Sequence, residues 1–121
     1  NAFVNAGHVV ACFGPDRRPT LSDITLARDL PERRIEVVVP AFASLAQAVV
    51  GTQRLAVMHR LYAEHFAAAY PIAIYSSPVP LPEVIETVHW HEVRGRDPGI
   101  RWLLELITRH CAALPAPAPP G

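Results

Sequence analysis

The residues best suited to chemistry in this chain are histidines, and two of them, His89 and His91, flank Trp90. Side chains two positions apart on a β-strand point to the same face of a sheet, so this pair could supply two ligands to a zinc ion. Zinc would need at least one more ligand, and Glu86 and Glu92 fall on the opposite face of a regular strand. The spacing therefore favours an ordinary, half-exposed strand with Trp90 directed into the core.

A third histidine, His59, ends the apolar run "RLAVM" and stands where a strand gives way to a helix. Binding residues gather at such strand ends, although a solvated histidine that opens the next helix fits the same pattern. The chain contains no Gly-x-Ser-x-Gly elbow, no Gly-rich phosphate loop and no His-Glu-x-x-His motif. The sequence thus shows no catalytic set, and we expect neither a cofactor nor a metal.

Composition narrows the possible classes of protein. The chain has 121 residues, of which half are hydrophobic and 18% are charged, enough for the core of one domain or one lobe. Its formal net charge is zero, so this stretch alone is a poor nucleic-acid binder. No apolar run approaches the roughly 18 residues that span a bilayer. The chain begins at Asn1 without a methionine, and we expect it to be a piece of a longer protein.

Short apolar runs alternate with helical patterns along the chain. The strand patterns cover residues 7–14, 33–40, 54–59, 72–78 and 84–93. The helical patterns cover residues 20–30, 41–52, 60–70 and 97–113. Thr20 or Ser22 suits an N-cap, Gly51 suits a C-cap, and Asp97 followed by Pro98 is a strong helix start.

This order of elements predicts an α/β fold with a mainly parallel sheet flanked by helices on both faces. In such sheets ligands bind outside the carboxyl ends of the strands, where the helix N-termini point. That rule places Phe13 and Gly14, Pro40 to Phe42, and Met58 and His59 along one rim.

Two stretches resemble the C-terminal part of LysR-type transcriptional regulators, especially the branch near regulators of aromatic-compound catabolism and nodulation. They are "RRIEVVVPAFASLAQAVVGTQRLAVMHRLYAEHF" and "VHWHEVRGRDPGIRWLLELI". In this family an Arg-Arg strand ends in Val-Pro and Phe, a helix closes in Gly-Thr, and Trp-His precedes Asp-Pro and an Arg-Trp-Leu helix. The match runs from about Gly7 to Ala113, and the matching residues are Arg33, Arg34, Val39, Pro40, Phe42, Gly51, Thr52, Trp90, His91, Asp97, Pro98, Arg101, Trp102 and Leu103.

The resemblance implies the effector-sensing fragment of a bacterial, cytoplasmic, dimeric regulator and not an enzyme. The family binds a small-molecule effector in the cleft between two lobes that are similar to periplasmic binding proteins of type II. By this likeness, residues 1–82 are most of the second lobe, residues 83–113 are a return strand and helix of the first lobe, and residues 114–121 are a Pro-rich disordered tail. DNA contact would belong to an N-terminal winged helix-turn-helix outside this chain, and no membrane contact is expected.

The rim and the resemblance together nominate an effector-binding set. Phe42 would offer an aromatic face at a helix N-terminus that favours a carboxylate, while Thr52 would either bind the ligand or close its helix. Positions 58 and 59 in the family usually hold an apolar residue and proline, so His59 could change which effector is accepted. The branch suggests an aromatic carboxylate or a phenol. The predicted effector-binding residues are Phe13, Gly14, Pro40, Phe42, Thr52 and His59.

Two other functions remain open at this point. One is a small α/β enzyme or metal-binding domain that uses His59 or the His89/His91 pair. The other is a self-associating interaction module. Because the likeness leaves the final strand and helix without native partners, we expect homo-oligomers that bury this apolar surface.

Overall fold

The computed structural model describes residues 2–115 of the chain. The chain separates between Val84 and Ile85 into two compact units, and each is described by itself. From residue 116 onward, the predicted Pro-rich tail lies outside the described residues. Within residues 2–115, no helix has the length and apolar character that crossing a membrane requires.

The elements follow one another as alternating strands and helices in the first unit and as two helices in the second. The first unit contains α1 (Ala2–Asn5), β1 (Gly7–Phe13), β2 (Arg18–Pro19), α2 (Leu21–Asp29), β3 (Arg34–Val39), α3 (Phe42–Val49), β4 (Leu55–Ala56) and α4 (Arg60–Ala67). The second unit contains a 3₁₀ helix (Glu92–Arg96) and α5 (Pro98–Ala112). The four predicted helices, α2 to α5, are confirmed, with ends within three residues of those expected.

A small mixed sheet organises the first unit around β1. β3 and β4 both run parallel to β1. β2 pairs antiparallel with the last two residues of β1, Cys12 and Phe13. The first five residues of β1, Gly7 to Ala11, are all buried, as expected for a central strand rich in apolar residues. The antiparallel β2 makes the sheet mixed, a feature that the sequence did not predict. The likeness to a periplasmic-binding-protein lobe remains a prediction.

The core lies between this sheet and α3. Val9 and Ala11 of β1 pack against Leu45 of α3, and all three are at most 2% exposed. Because successive strand residues alternate between faces, the odd-numbered residues of β1 point towards α3. This packing holds the first residue of α3 beside the carboxyl end of β1. The partly buried residues around the three are Phe13, Val37, Val39, Phe42, Ala48, Val49, Ala56 and Met58.

Local signals begin and end the helices where the sequence places them. Thr20 caps α2, since its hydroxyl accepts a hydrogen bond from the Asp23 N–H at 3.0 Å. Gly51 follows α3 with φ 69°, a left-handed conformation that glycine adopts without strain. Asp97 caps α5 by accepting from the N–H groups of Gly99 (2.9 Å) and Ile100 (3.2 Å). These bonds favour the carboxylate and lower the pKa of Asp97.

Three strand predictions need correction. The strand expected over residues 54–59 is reduced to Leu55–Ala56, and residues 72–78 and 84–93 form no strand. Trp90, which the sequence placed in a core, is 50% exposed. A strand forms only where its N–H and C=O groups pair with a neighbouring strand, and alternation of apolar residues does not provide that neighbour.

Candidate functional site

Three of the predicted site residues meet at the carboxyl edge of the parallel strands. Phe13 is the last residue of β1, Phe42 is the first residue of α3 after β3, and His59 follows β4 as the N-cap of α4. Because β3 and β4 both run parallel to β1, the carboxyl ends of all three strands lie at one edge of the sheet.

The ring of Phe42 is the centre of an aromatic cluster at this edge. Its centroid lies 5.1 Å from that of Phe13, 5.6 Å from the His59 imidazole and 5.7 Å from the Tyr62 ring. The His59 ring meets Phe42 edge-on at 66°, whereas the Tyr62 ring is nearly parallel to it at 20°. These distances lie within the range of attractive aromatic pairs. We call Phe13, Phe42, His59 and Tyr62 the aromatic cluster.

Tyr62 is a member of this cluster that sequence reasoning missed. It lies on the first turn of α4, three residues after His59, and it also stacks on Phe66 with centroids 5.9 Å apart. Residues three apart on a helix share one face. The spacing of Tyr62 from His59, which follows a strand end, could therefore have identified Tyr62 as a neighbour of the site. Tyr62 is 47% exposed, while the other three members are partly buried. The cluster is thus an aromatic surface that is partly open to solvent.

Two helices begin beside the aromatic cluster without side-chain caps. The N-cap of α3 is Ala41, which has no capping group, and the His59 side chain makes no capping bond to α4. The first N–H groups of a helix have no partner inside the helix. Those groups in α3 and α4 therefore add polar donors and positive helix-dipole ends to an apolar surface.

Gly14 and Pro40 lie at the same edge, where they shape the backbone that follows β1 and β3. Gly14 has φ 67° and opens a turn in which its carbonyl accepts from the Arg17 N–H at 3.1 Å. Pro40 is exposed between the end of β3 and the start of α3. Their side chains supply no polar group to the cluster.

Thr52 lies at the opposite end of α3 from Phe42. Its hydroxyl donates to the Val49 carbonyl at 2.8 Å and accepts from the Arg54 N–H at 3.1 Å. Both bonds are local and close the loop between α3 and β4. Of the two roles that the sequence left open for Thr52, the structure favours the helix end.

The histidine pair that opened the sequence discussion has local partners. His89 Nε2 lies 2.8 Å from the Thr87 hydroxyl, and His91 Nδ1 accepts from the Val93 N–H at 3.3 Å as the N-cap of the 3₁₀ helix. Among residues 2–115, no group of three or more His, Cys, Asp or Glu side chains is placed to hold a metal ion. The described chain thus offers this pair no third ligand.

A buried polar cluster lies within the first unit, formed by His8, Asp23 and Arg33. An Arg33 Nη donates to Asp23 Oδ1 at 3.0 Å, with the two side chains 3% and 8% exposed. The other Asp23 oxygen accepts from the Thr20 hydroxyl at 2.8 Å. Charged groups are rarely buried to this degree unless they are paired, as these are.

His8 is fully buried on β1 beside this ion pair. Its Nε2 lies 2.8 Å from the Phe3 carbonyl, so Nε2 carries the proton and donates it. Its Nδ1 is buried without a hydrogen-bond partner among the described residues, and so is Arg33 Nε. Burial lowers the pKa of His8, and the charge of Arg33 lowers it further against the opposing effects of the Phe3 carbonyl and Asp23.

Comparison with known proteins adds a family context to this geometry. The chain is 35% identical over 118 residues to nodulation protein D 2 of Rhizobium tropici, covering 98% of this chain and 38% of that protein. It is 33% identical over 112 residues to nodulation protein D of Azorhizobium caulinodans, covering 93% of this chain and 36% of that protein. It is also 33% identical over 115 residues to nodulation protein D 3 of Rhizobium meliloti, covering 95% of this chain and 37% of that protein.

The chain therefore spans little more than a third of the length of the curated relatives it matches. No protein-family model matches the chain, and the comparison with solved structures found no match. The relatives are nodulation proteins D, which are bacterial transcription regulators of the LysR type. They confirm the resemblance to regulators near the nodulation branch.

Proposed function

We propose that this chain is the effector-sensing part of a bacterial LysR-type transcription regulator that acts in the cytoplasm. Similarity to nodulation protein D over almost the whole chain supports this proposal. In the full-length protein, DNA binding belongs to an N-terminal winged helix-turn-helix, and the part described here binds a small molecule. The chain carries out no chemical reaction.

The observation that carries the binding site is the aromatic cluster at the carboxyl edge of the sheet. Phe13, Phe42 and His59 come from three separate strand ends, and the ring centroids of Phe13 and His59 lie 5.1 and 5.6 Å from that of Phe42. Ligands of open α/β sheets bind at this edge because the helix N-termini point there. We infer that the effector lies on the cluster.

The chemistry of the edge favours a small aromatic ligand with a carboxylate or phenol group. The rings of Phe13, Phe42 and Tyr62 offer apolar faces on which another ring can stack. The uncapped starts of α3 and α4 offer N–H groups and positive dipole ends to a negative charge. The ligand's ring and its charged group thus find separate partners at the same edge.

In this proposal the chain contributes to a cleft between two lobes of the periplasmic-binding-protein kind. Residues 1–82 belong to the second lobe and residues 83–113 belong to the first. The ligand favours a closed arrangement of the lobes, because it makes contacts there that the open arrangement lacks, and this bias reaches the DNA-binding domain.

The proposed protein is also a homo-oligomer. In the second unit, the helix α5 contains no buried residue, and its Trp102 and Leu103 side chains are 63% and 43% exposed. An apolar helix face of this kind is a surface for association. This observation also supports self-association of the chain as a second candidate function.

The binding site is tested by titrating the chain with benzoate and with cyclohexanecarboxylate, which have the same charge and similar size. Benzoate should bind about two- to tenfold more tightly, because only its ring can stack on the cluster. Phe42→Ala should weaken benzoate binding and remove this preference. Tyr75→Leu, which removes an aromatic ring that is 80% exposed and lies outside the cluster, is the control. Equal binding of the two acids, or unchanged binding in Phe42→Ala, would refute the site.

A further inference from the structure

We propose that His59 and Tyr62 act together as the specificity-determining pair of this site and select a carboxylate on an aromatic ligand. The inference rests on the proposed binding function of the aromatic cluster and goes beyond it. It assigns a role to Tyr62, and it assigns the choice between charged and neutral ligands to two named side chains.

The pair is placed for joint contact with one chemical group. His59 and Tyr62 stand three residues apart at the start of α4, so they lie on the same face of its first turn. Their ring centroids are 6.3 Å apart, and both rings touch Phe42. A ligand ring resting on Phe42 would bring its substituent to the polar edges of both residues.

The Tyr62 hydroxyl is available for this role. Within residues 2–115 it makes no hydrogen bond, whereas the hydroxyl of Tyr70, eight residues later and beyond the end of α4, accepts from Gln47 Nε2 at 3.0 Å. The Tyr62 ring meanwhile contacts two nearly parallel rings, those of Phe42 and Phe66, with centroids 5.7 and 5.9 Å away. A hydroxyl on a ring held in place loses little freedom when it binds a ligand.

The kinds of donor at this edge match a carboxylate. The imidazole N–H and the phenol O–H give the pair two donors, and a carboxylate has two acceptor oxygens. The nearby Arg60 is already paired, since its Nε lies 2.7 Å from a carboxylate oxygen of Glu64. Recognition of charge at the start of α4 therefore depends on His59, Tyr62 and the free N–H groups of the helix.

The experiment compares benzoate with benzamide, which share a ring but differ in charge, in NMR titrations of the intact 121-residue chain. The unmodified chain should bind benzoate at least tenfold more tightly than benzamide. Tyr62→Phe keeps the stacked ring and removes only the hydroxyl, and it should lose about ten- to a hundredfold of the benzoate affinity. Benzamide binding should change less than threefold, a selective effect that a purely structural role for Tyr62 would not give.

Matched variants complete the test. Tyr75→Phe removes the hydroxyl of an exposed tyrosine outside the cluster and should leave both affinities unchanged. His59→Phe retains an aromatic ring without the N–H and should reduce the preference for benzoate as Tyr62→Phe does. Retention of the full preference by Tyr62→Phe, with benzoate still bound at the cluster, would overturn the inference and leave the binding site standing. Failure of both probes to bind would overturn the site and the inference together.

Discussion

The buried ion pair between Arg33 and Asp23 gives the most demanding prediction about stability. At 3.0 Å and an effective dielectric constant of about 20, the Coulomb attraction of the pair is roughly 5 kcal/mol. Removing both charges from water offsets much of this gain, so the intact pair contributes little net stability. Arg33→Met, however, leaves the Asp23 carboxylate buried without its partner. We expect this variant to lower the free energy of unfolding by about 3–5 kcal/mol.

Two further variants separate the pair from general damage to the fold. Asp23→Leu combined with Arg33→Met replaces both charges by apolar groups, and it should be more stable than Arg33→Met alone. Arg28→Met removes an arginine whose bond to Asp29 is 2.6 Å long but exposed to solvent, and its effect should be too small to measure. The contrast between Arg33 and Arg28 tests burial and not merely the presence of an ion pair.

The assay is urea unfolding combined with hydrogen exchange of the β1 backbone amides. Both tryptophans, Trp90 and Trp102, belong to the second unit, so their fluorescence would not report on the first. Arg33→Met should speed exchange throughout β1, because opening of the first unit becomes more frequent. The reasoning is refuted if Arg33→Met is as mild as Arg28→Met, or if the double variant is the least stable of the three.

Two other predictions follow from single side chains. Burial lowers the pKa of His8 from its ordinary 6.5, so the folded state favours neutral imidazole; its contribution to stability is full above pH 6.5 and is lost as the pH falls through the lowered pKa. The free energy of unfolding should therefore drop on acidification below pH 6.5. His8→Gln should flatten this part of the plot of unfolding free energy against pH. His110→Gln, which changes an exposed histidine, should leave it unaltered. Thr52→Ala should lower the free energy of unfolding by about 1 kcal/mol, because two hydrogen bonds are lost, and should leave benzoate affinity unchanged. A loss of benzoate affinity without a loss of stability would show that Thr52 belongs to the binding site.

The parts of the fold that depend on local signals were predictable from the sequence. Thr20 and Asp97 mark helix starts through bonds to N–H groups two or three residues away, and Gly51 marks a helix end through its own left-handed conformation. The meeting of side chains at the carboxyl edge of the sheet was predictable too, because parallel strands bring their carboxyl ends together whatever their exact pairing. Phe13 and Phe42 therefore meet as the order of elements implies.

The parts that depend on distant partners were not predictable. Residues 84–93 alternate like a strand, but strand formation needs a neighbour that alternation does not reveal. Asp23 and Arg33 are ten residues apart and carry no local signal that they pair, and only the packing of α2 brings them together in the interior. Thr52 was grouped with Phe42 although an eight-residue helix carries the chain about 12 Å along its axis, away from the carboxyl edge.

The most direct test of the proposed binding site is the measurement of nuclear Overhauser effects between the ring protons of bound benzoate and those of the chain. A ligand stacked on the aromatic cluster should give contacts to Phe13, Phe42 and Tyr62, and these contacts should vanish in Phe42→Ala. Contacts confined to the exposed apolar side chains of α5, such as Trp102 and Leu103, would contradict the site at the carboxyl edge.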